Sequence, residues 1–293
     1  MCRMERIADT STICGCNRLF AEETLHPLVS VIDAGGRTEK FVCDNCYSAV
    51  LSPLTDAGCA SGHTTCDFSH ATMTFRRPGK TVSIPCATDA VVVVFHPDII
   101  RCTPLGQAIG EYTFFDYADN EALFMSLREA QTAKRCFEGI KNELRHGIDK
   151  YSKRLICNHI ELLLNYSKRF YTRQFITRHD SNIELIARID TAIRRYFEAG
   201  RAAGGIMPAA QHIARELGVS TAYLDDTLHH ETGKHTADYV SLWRIKTAKV
   251  MLMNKNLSAA GISASLGFCS EACFRTIFKK ITGCEPDEYR KCE

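Results

Sequence analysis

The chain has 293 residues, 45% of them hydrophobic and 24% charged, and a formal net charge of +2 at neutral pH. This is the composition of a globular protein of two or three compact units, and it excludes disordered, collagen-like and strongly polybasic classes. No apolar run approaches the roughly 20 residues of a membrane helix, no signal-peptide core opens the chain, and its 15 cysteines are odd in number, so reduced thiols in the cytoplasm are expected.

From about residue 25 to 117, short apolar or alternating runs are separated by turn residues: HPLVSVIDAGG, YSAVLSPL, ATMTFRRPGKTVSIP and DAVVVVFHPD. They read as short strands. The β-branched run at 91–95 suits a strand covered on both faces, and Pro78-Gly79 marks a turn. Closing such strands into a barrel or sandwich removes exposed edges, which predicts a β-rich domain over 1–118.

After Asp119 the period changes. Residues 121–148 and 152–176 carry few helix breakers, and Ile156, Ile160, Leu163, Ser167 and Phe170 recur on one face of the second helix. Leu155, Leu162 and Tyr166 widen that face, so it either packs under the β domain or pairs with the same helix of a second subunit. Residues 119–180 thus form a helical segment, and the polar run RHDSNIE at 178–184 reads as a linker into a helical region over 181–293. A first helix is expected at 189–199.

Pro208 then suits the first turn of a helix reaching Leu217. Gly218 makes the turn, and Ser220 caps a second helix that stops at Gly233. Ile213, Leu217, Leu224 and Leu228 form the expected core, and the helix pair spans about 208–231. The pattern repeats over about 258–281. Ile262, Leu266 and Phe268 are apolar, Gly267 permits the turn, and Ser270 caps a helix that turns Phe274, Ile277 and Phe278 inward. Its outer side carries Glu271, Ala272, Arg275, Thr276, Lys279 and Lys280, a polar and basic surface fit for a major groove. Gly283 stops the helix and Pro286 blocks its continuation. Between the copies, 236–254 has no breaker and reads as one connecting helix around Trp243. At about 28 Å, it sets two recognition helices about one DNA turn apart.

Leu266-Gly267-Phe268, Phe274-x-x-x-Phe278-Lys279-Lys280 and Gly283-x-x-Pro286-x-x-Tyr289-Arg290 resemble the second helix-turn-helix of the AraC/XylS family of bacterial transcription regulators. Arg244-Ile-x-x-Ala248-x-x-Met251-Leu252 resembles that family's connecting helix, and Tyr223 and Gly233 fit its first unit. The resemblance covers nearly all of the last 110 residues and extends weakly through His96 to Gly106. It implies an α+β protein with an N-terminal jelly-roll-like (cupin-like) sensing domain, a dimerising helical segment and a C-terminal all-α DNA-binding domain. It also implies double-stranded operator DNA as partner, control by a small-molecule effector or dimer contacts, RNA polymerase as a further partner, a nucleoid-associated location, and no cofactor.

In the second unit the resemblance places Ala272, Arg275 and Thr276 at base edges, with Ser270, Lys279 and Lys280 nearer phosphates. An Arg can contact guanine O6 and N7 together. The family more often has Ser or Thr before Arg here, so Arg275-Thr276 reverses the order and turns the basic group about 100° around the helix. In the first unit the exposed positions are Thr221, Ala222, Asp225, Asp226 and His229. Two carboxylates there offer phosphates little, so this unit is expected to bind weakly or to position the other. Residues 182–293 hold fifteen Lys or Arg against thirteen Asp or Glu, so the DNA expectation rests on motif rather than charge.

Cys43-x-x-Cys46, Cys59 and His63 have zinc-ligand spacing, with Cys66 to spare, but the intervening sequence lacks the helix of a zinc finger. A redox-responsive thiol pair and inert cysteines are the alternatives. His229-His230 and His235 are clustered without a shared direction, and His96-Pro97-Asp98 reads as a strand end. Phosphate-binding, dinucleotide, G-x-S-x-G and H-E-x-x-H motifs are absent, which argues against an enzyme. A metal- or thiol-responsive sensor and a helical protein-binding module with weakened DNA affinity remain the alternatives.

Overall fold

The computed structural model describes residues 10–35, 39–54, 68, 70–84, 90–202, 207–254 and 256–291. The chain divides into two compact units, Met1–Arg178 and His179–Glu293.

In the first unit, Thr12 caps helix α1 (Ile13–Phe20) by accepting a hydrogen bond from the Gly15 amide at 3.1 Å. Strand β1 (Val29–Asp33) pairs with β6 (Val91–Phe95), and β2 (Glu39–Cys43) pairs with β5 (Lys80–Ile84). This nested pairing of early with late strands is the jelly-roll pattern. Strand β3 (Tyr47–Pro53) lies between β6 and β4 (Ala71–Arg76), and β7 (Leu123–Met125) extends the sheet beyond β4. All pairings are antiparallel. Among the described residues the sheet order is β1-β6-β3-β4-β7, with β2-β5 as a second sheet. Phe41, Val82 and Ile84 of the small sheet share a core with Ile32, Val50, Val92 and Val94 of the large one.

The other face of the large sheet meets helix α5 (Ser152–Thr177), whose Ser167 hydroxyl lies 3.7 Å from the Met73 sulfur and whose Tyr171 stacks on Phe114 at 5.3 Å. Coverage on both faces explains the uninterrupted valines of β6. Phe75, Phe95 and Phe115 are buried in one aromatic cluster with Tyr47. Buried Arg76 donates to the carbonyls of Phe75 and Tyr117 at 2.6 and 3.0 Å and pairs with Asp119. His96 caps the short helix α2 (Pro97–Ile100), which is followed by α3 (Pro104–Ala108).

Two expectations for this segment need correction. Helix α4 (Leu127–Arg145) begins six residues after Glu121, because residues 123–125 pair with β4 and Ser126 with Glu129 forms a capping box. Gln174 of α5 secures that edge, accepting from the Phe124 amide at 2.7 Å and donating to the Ala122 carbonyl at 3.2 Å. The five expected inward positions of α5 are buried, but Leu155 and Leu162 are 41% and 46% exposed, so they take no part in packing under the β domain and only the alternative of pairing with a second subunit is left for them.

In the second unit, residues 179–184 are not a linker. They open helix α6 (His179–Glu198), where buried Asn182 donates to Glu231 at 2.8 Å and His179 meets the same carboxylate at 2.8 Å. Then follow α7 (Ala210–Leu217), α8 (Thr221–Thr232), α9 (Thr236–Leu252), α10 (Ala259–Ser265), α11 (Glu271–Thr282) and α12 (Pro286–Tyr289). Leu224, Leu228, Ile262, Leu266, Phe268, Phe274, Phe278 and Pro286 are buried. Leu217 and Trp243 are half-buried, so they border the core rather than fill it, and Trp243 stacks on Phe197 at 5.5 Å. Gly218 and Gly283 are exposed helix caps with φ of 71° and 85°. Among the described residues no helix is long and apolar enough to cross a membrane.

Candidate nucleic-acid interface

Two helix pairs of similar design are joined by α9. In the first, Ser220 accepts a hydrogen bond from the Tyr223 amide at 3.1 Å and starts α8. Tyr223, Leu224, Thr227 and Leu228 face inward. Thr221, Ala222, Asp225 and Asp226 are half-buried, and only His229 of the five nominated positions is exposed.

Asp225 is committed inside the protein. One carboxylate oxygen accepts from the Thr236 amide and hydroxyl, both at 2.7 Å, and the other meets His235 Nδ1 at 2.8 Å. It therefore satisfies the first turn of α9. Burial pushes the Asp225 carboxyl up, but the hydrogen bonds from Thr236 and His235 outweigh that and hold it below its ordinary range. The same contact raises His235. The His229 and His235 rings stack at 4.5 Å and 11° instead of converging on a point.

In the second pair, Ser258 caps α10 by accepting from the Gly261 amide at 3.0 Å, and Ser270 caps α11 through the Cys273 amide at 3.1 Å. Phe274 and Phe278 turn inward, and Phe278 meets Tyr289 of α12 edge-on at 5.6 Å. Ala272, Thr276, Lys279, Lys280 and Ser270 are exposed, while Glu271 and Arg275 are half-buried.

Arg275 does not project freely from this surface. Its Nε donates to Glu271 at 2.8 Å and its Nη1 to Asp287 at 2.6 Å, and these carboxylates raise its pKa, with Asp287 contributing most. Lys279 is paired with Glu285 at 3.0 Å, and Thr276 bonds back to the Ala272 carbonyl at 2.9 Å. Asp287 of α12 and its N-cap Glu285 thus partly neutralise the recognition helix. Sequence spacing alone did not expose this, because Asp287 lies beyond a glycine turn and a proline. In sequence, Arg244 is only one position of the connecting pattern. Its Nε donates to the Leu266 carbonyl at 2.8 Å, locking α9 onto the turn of the second pair.

Of the zinc-spaced set, Cys43 and Cys46 are buried, while Cys59 and His63 lie outside the described residues. Among the described residues, no group of three His, Cys, Asp or Glu side chains is placed to hold a metal ion.

The second unit is a double helix-turn-helix domain of the kind that binds DNA, and residues 213–292 match the helix-turn-helix domain family. Over 79 residues the chain is 34% identical to the Msm operon regulatory protein of Streptococcus mutans, and also over 79 residues it is 32% identical to a putative AraC-like transcription regulator of Streptomyces lividans. Each match covers 27% of this chain, and respectively 28% and 26% of those relatives' own length. The C-terminal domain of AraT, a response regulator from Geobacillus stearothermophilus, is 25% identical over 36% of this chain and 85% of that one, with a TM-score of 0.30. The C-terminal domain of this chain is a helix-turn-helix domain similar to that of AraC-like transcription regulators.

Proposed function

We propose that the whole chain is a sequence-specific transcription regulator, with a sensing domain over 1–118, a dimerising helical segment over 119–180 and a DNA-binding domain over 181–293. The observation that carries this reading is the pair of capped recognition helices joined by the continuous 17-residue helix α9. Such a helix is about 26 Å long, roughly three quarters of the rise of one DNA turn, and the helix pairs at its two ends span the rest. Ala272, Arg275 and Thr276 are assigned to base edges, and Ser270, Lys279 and Lys280 to phosphates, with Glu271 orienting Arg275. In the first unit Ser220, Thr221, Ala222, Asp226 and His229 are assigned to positioning on the backbone, whereas the hydrogen bonds of Asp225 favour an anchoring role.

A homodimer through α5 is supported by exposed Leu155, Leu162 and Ile176, which fall on one seam at multiples of seven. Effector control through the β domain and contact with RNA polymerase follow from the family resemblance, as does a cytoplasmic location. An effector acts only by binding two arrangements of the protein unequally.

The test is selection of binding sites from randomised duplex DNA at two salt concentrations, with Arg275→Ala beside the wild type. Two half-elements about one turn apart, with one lost in the variant, are expected. Failure to enrich any sequence at either salt would overturn the reading.

A further inference from the structure

Three thiols meet in the core between α1 and the small sheet. Cys16 on α1, Cys43 at the end of β2 and Cys46 just before β3 are 0%, 1% and 1% exposed. The Cys16 and Cys43 sulfurs are 3.5 Å apart, at van der Waals contact, although 27 residues separate them in sequence. Hydrogen bonding from Cys16 first, and then from the thiol and backbone amide of Cys46, holds the Cys43 thiol below its ordinary range. Cys43 is therefore the thiol on which both neighbours act, with Cys16 in direct sulfur contact. Among the described cysteines, Cys136 and Cys157 are also buried, yet neither contacts a second sulfur in this way.

We propose that Cys43 is an oxidation site, that Cys16 is its resolving thiol, and that the oxidant is a small hydroperoxide such as hydrogen peroxide. Thiol donors around one sulfur favour its thiolate, the nucleophilic form, over those of its neighbours. The near-complete burial excludes bulky disulfide reagents but not an oxidant close to water in size.

In the first step the Cys43 thiolate attacks one peroxide oxygen. A sulfur–oxygen bond forms, the oxygen–oxygen bond breaks, and the departing hydroxide takes a proton to leave as water. In the second step the Cys16 sulfur, giving up its proton, attacks the Cys43 sulfur. The sulfur–sulfur bond forms as the sulfur–oxygen bond breaks, and a second water leaves. Two thiols lose two electrons, and one hydrogen peroxide becomes two waters.

The sulfurs must close from 3.5 Å to about 2.05 Å. Helix α1 is tied to this region by the Thr10 hydroxyl on the Val42 carbonyl, by Asn45 on the Ser11 carbonyl at 3.2 Å, and by its buried face. The crosslink adds a covalent tie between α1 and β2 across the same contact. This chemistry is independent of DNA recognition.

The reduced full-length chain is treated at neutral pH with near-stoichiometric hydrogen peroxide, alkylated under denaturing conditions and mapped by peptide mass spectrometry. A Cys16–Cys43 peptide lacking two hydrogens is expected, forming several-fold faster than exposed Cys102 is oxidised because the neighbouring thiols favour the Cys43 thiolate, and slowing when the chain is unfolded in urea before oxidation. In Cys16→Ser, Cys43 is expected to accumulate as a sulfenic acid captured by dimedone. Circular dichroism establishes that the variant is folded, and the wild-type map decides the pairing if it is not. Oxidation of Cys102 with Cys43 untouched, a Cys43–Cys46 crosslink in place of Cys16–Cys43, or an equal rate in urea would each overturn the proposal.

Discussion

The guanidinium of Arg244 lies over the ring of Phe268, 3.6 Å from its centroid, while its Nε holds the Leu266 carbonyl. One buried side chain thereby fixes the connecting helix to the turn that aims the second recognition helix. A desolvated cation over an aromatic face contributes about 2 kcal/mol, and stranding a buried carbonyl costs about 1 to 3 kcal/mol. Arg244→Met is expected to destabilise the protein by about 3 kcal/mol, and Arg244→Lys by about half that, because Lys keeps charge without the planar stack. Chemical denaturation followed by tryptophan fluorescence reads this directly, since the single Trp243 is the preceding residue.

Two glycines in left-handed backbone differ in surroundings, and their alanine variants should differ accordingly. At Gly267, φ is 66° and an added Cβ would lie 2.6 Å from the Ala202 Cβ and 2.8 Å from its carbonyl oxygen. At Gly218, φ is 71° and nothing lies within 4 Å. The conformational cost is about 1 to 2 kcal/mol at both, so Gly218→Ala should lose about 1 kcal/mol while Gly267→Ala loses clearly more. Equal losses would mean that segment 202 yields without resistance.

The legible part of this chain is the part built from local signals. Ser220, Ser258 and Ser270 cap helices, Gly218, Gly267 and Gly283 adopt the left-handed backbone that turns require, and apolar spacing marks the inward faces. Strands were less visible. β2 is five residues long with Glu and Lys at its start, and β7 has three residues and exists by pairing with β4, about 50 residues earlier in the chain. The polar run at 178–184 looked like a linker because its partner, Glu231, is about 50 residues away. Of the candidate interface, the residues of α11 could be nominated from spacing, but the grip of Asp287 on Arg275 and of Asp225 on Thr236 is tertiary and leaves no mark on periodicity.

The Asp225–His235 pair makes a pH prediction with a defined sign. His235 is raised above its ordinary value chiefly by its hydrogen bond to Asp225, so its contribution is complete below the unfolded value of about 6.5 and is lost as pH rises through the raised folded value. Asp225 is lowered, so its contribution is present above about pH 3.9 and is lost as pH falls through the lower folded value. The pair therefore supports the fold best from about pH 4 to 6.5. Proton NMR of the imidazole should give His235 a pKa above that of a free histidine, returning toward it in Asp225→Asn. That variant should also lose about 1 kcal/mol by weakening the cap on α9.

If α11 enters DNA, Arg275 must exchange carboxylates for nucleic acid, and the exchange should be measurable. Both acids hold the guanidinium in the free protein, at 2.6 Å from Asp287 and 2.7 Å from Glu271. Asp287→Asn removes the α12 grip and one negative charge beside the phosphates while leaving Glu271 to keep Arg275 extended along the helix. DNA affinity is expected to rise several-fold, and Arg275→Ala to lower it. The form of that loss distinguishes two roles. Direct contact with guanine predicts a loss of about 1 to 3 kcal/mol confined to one base position. Phosphate contact predicts a loss shared by all sequences, with the slope of log affinity against log salt shallower by about 1. Unchanged affinity in both variants would mean that Arg275 stays with its carboxylates in the complex, and that Lys279, Lys280 and the helix cap at Ser270 carry the contact.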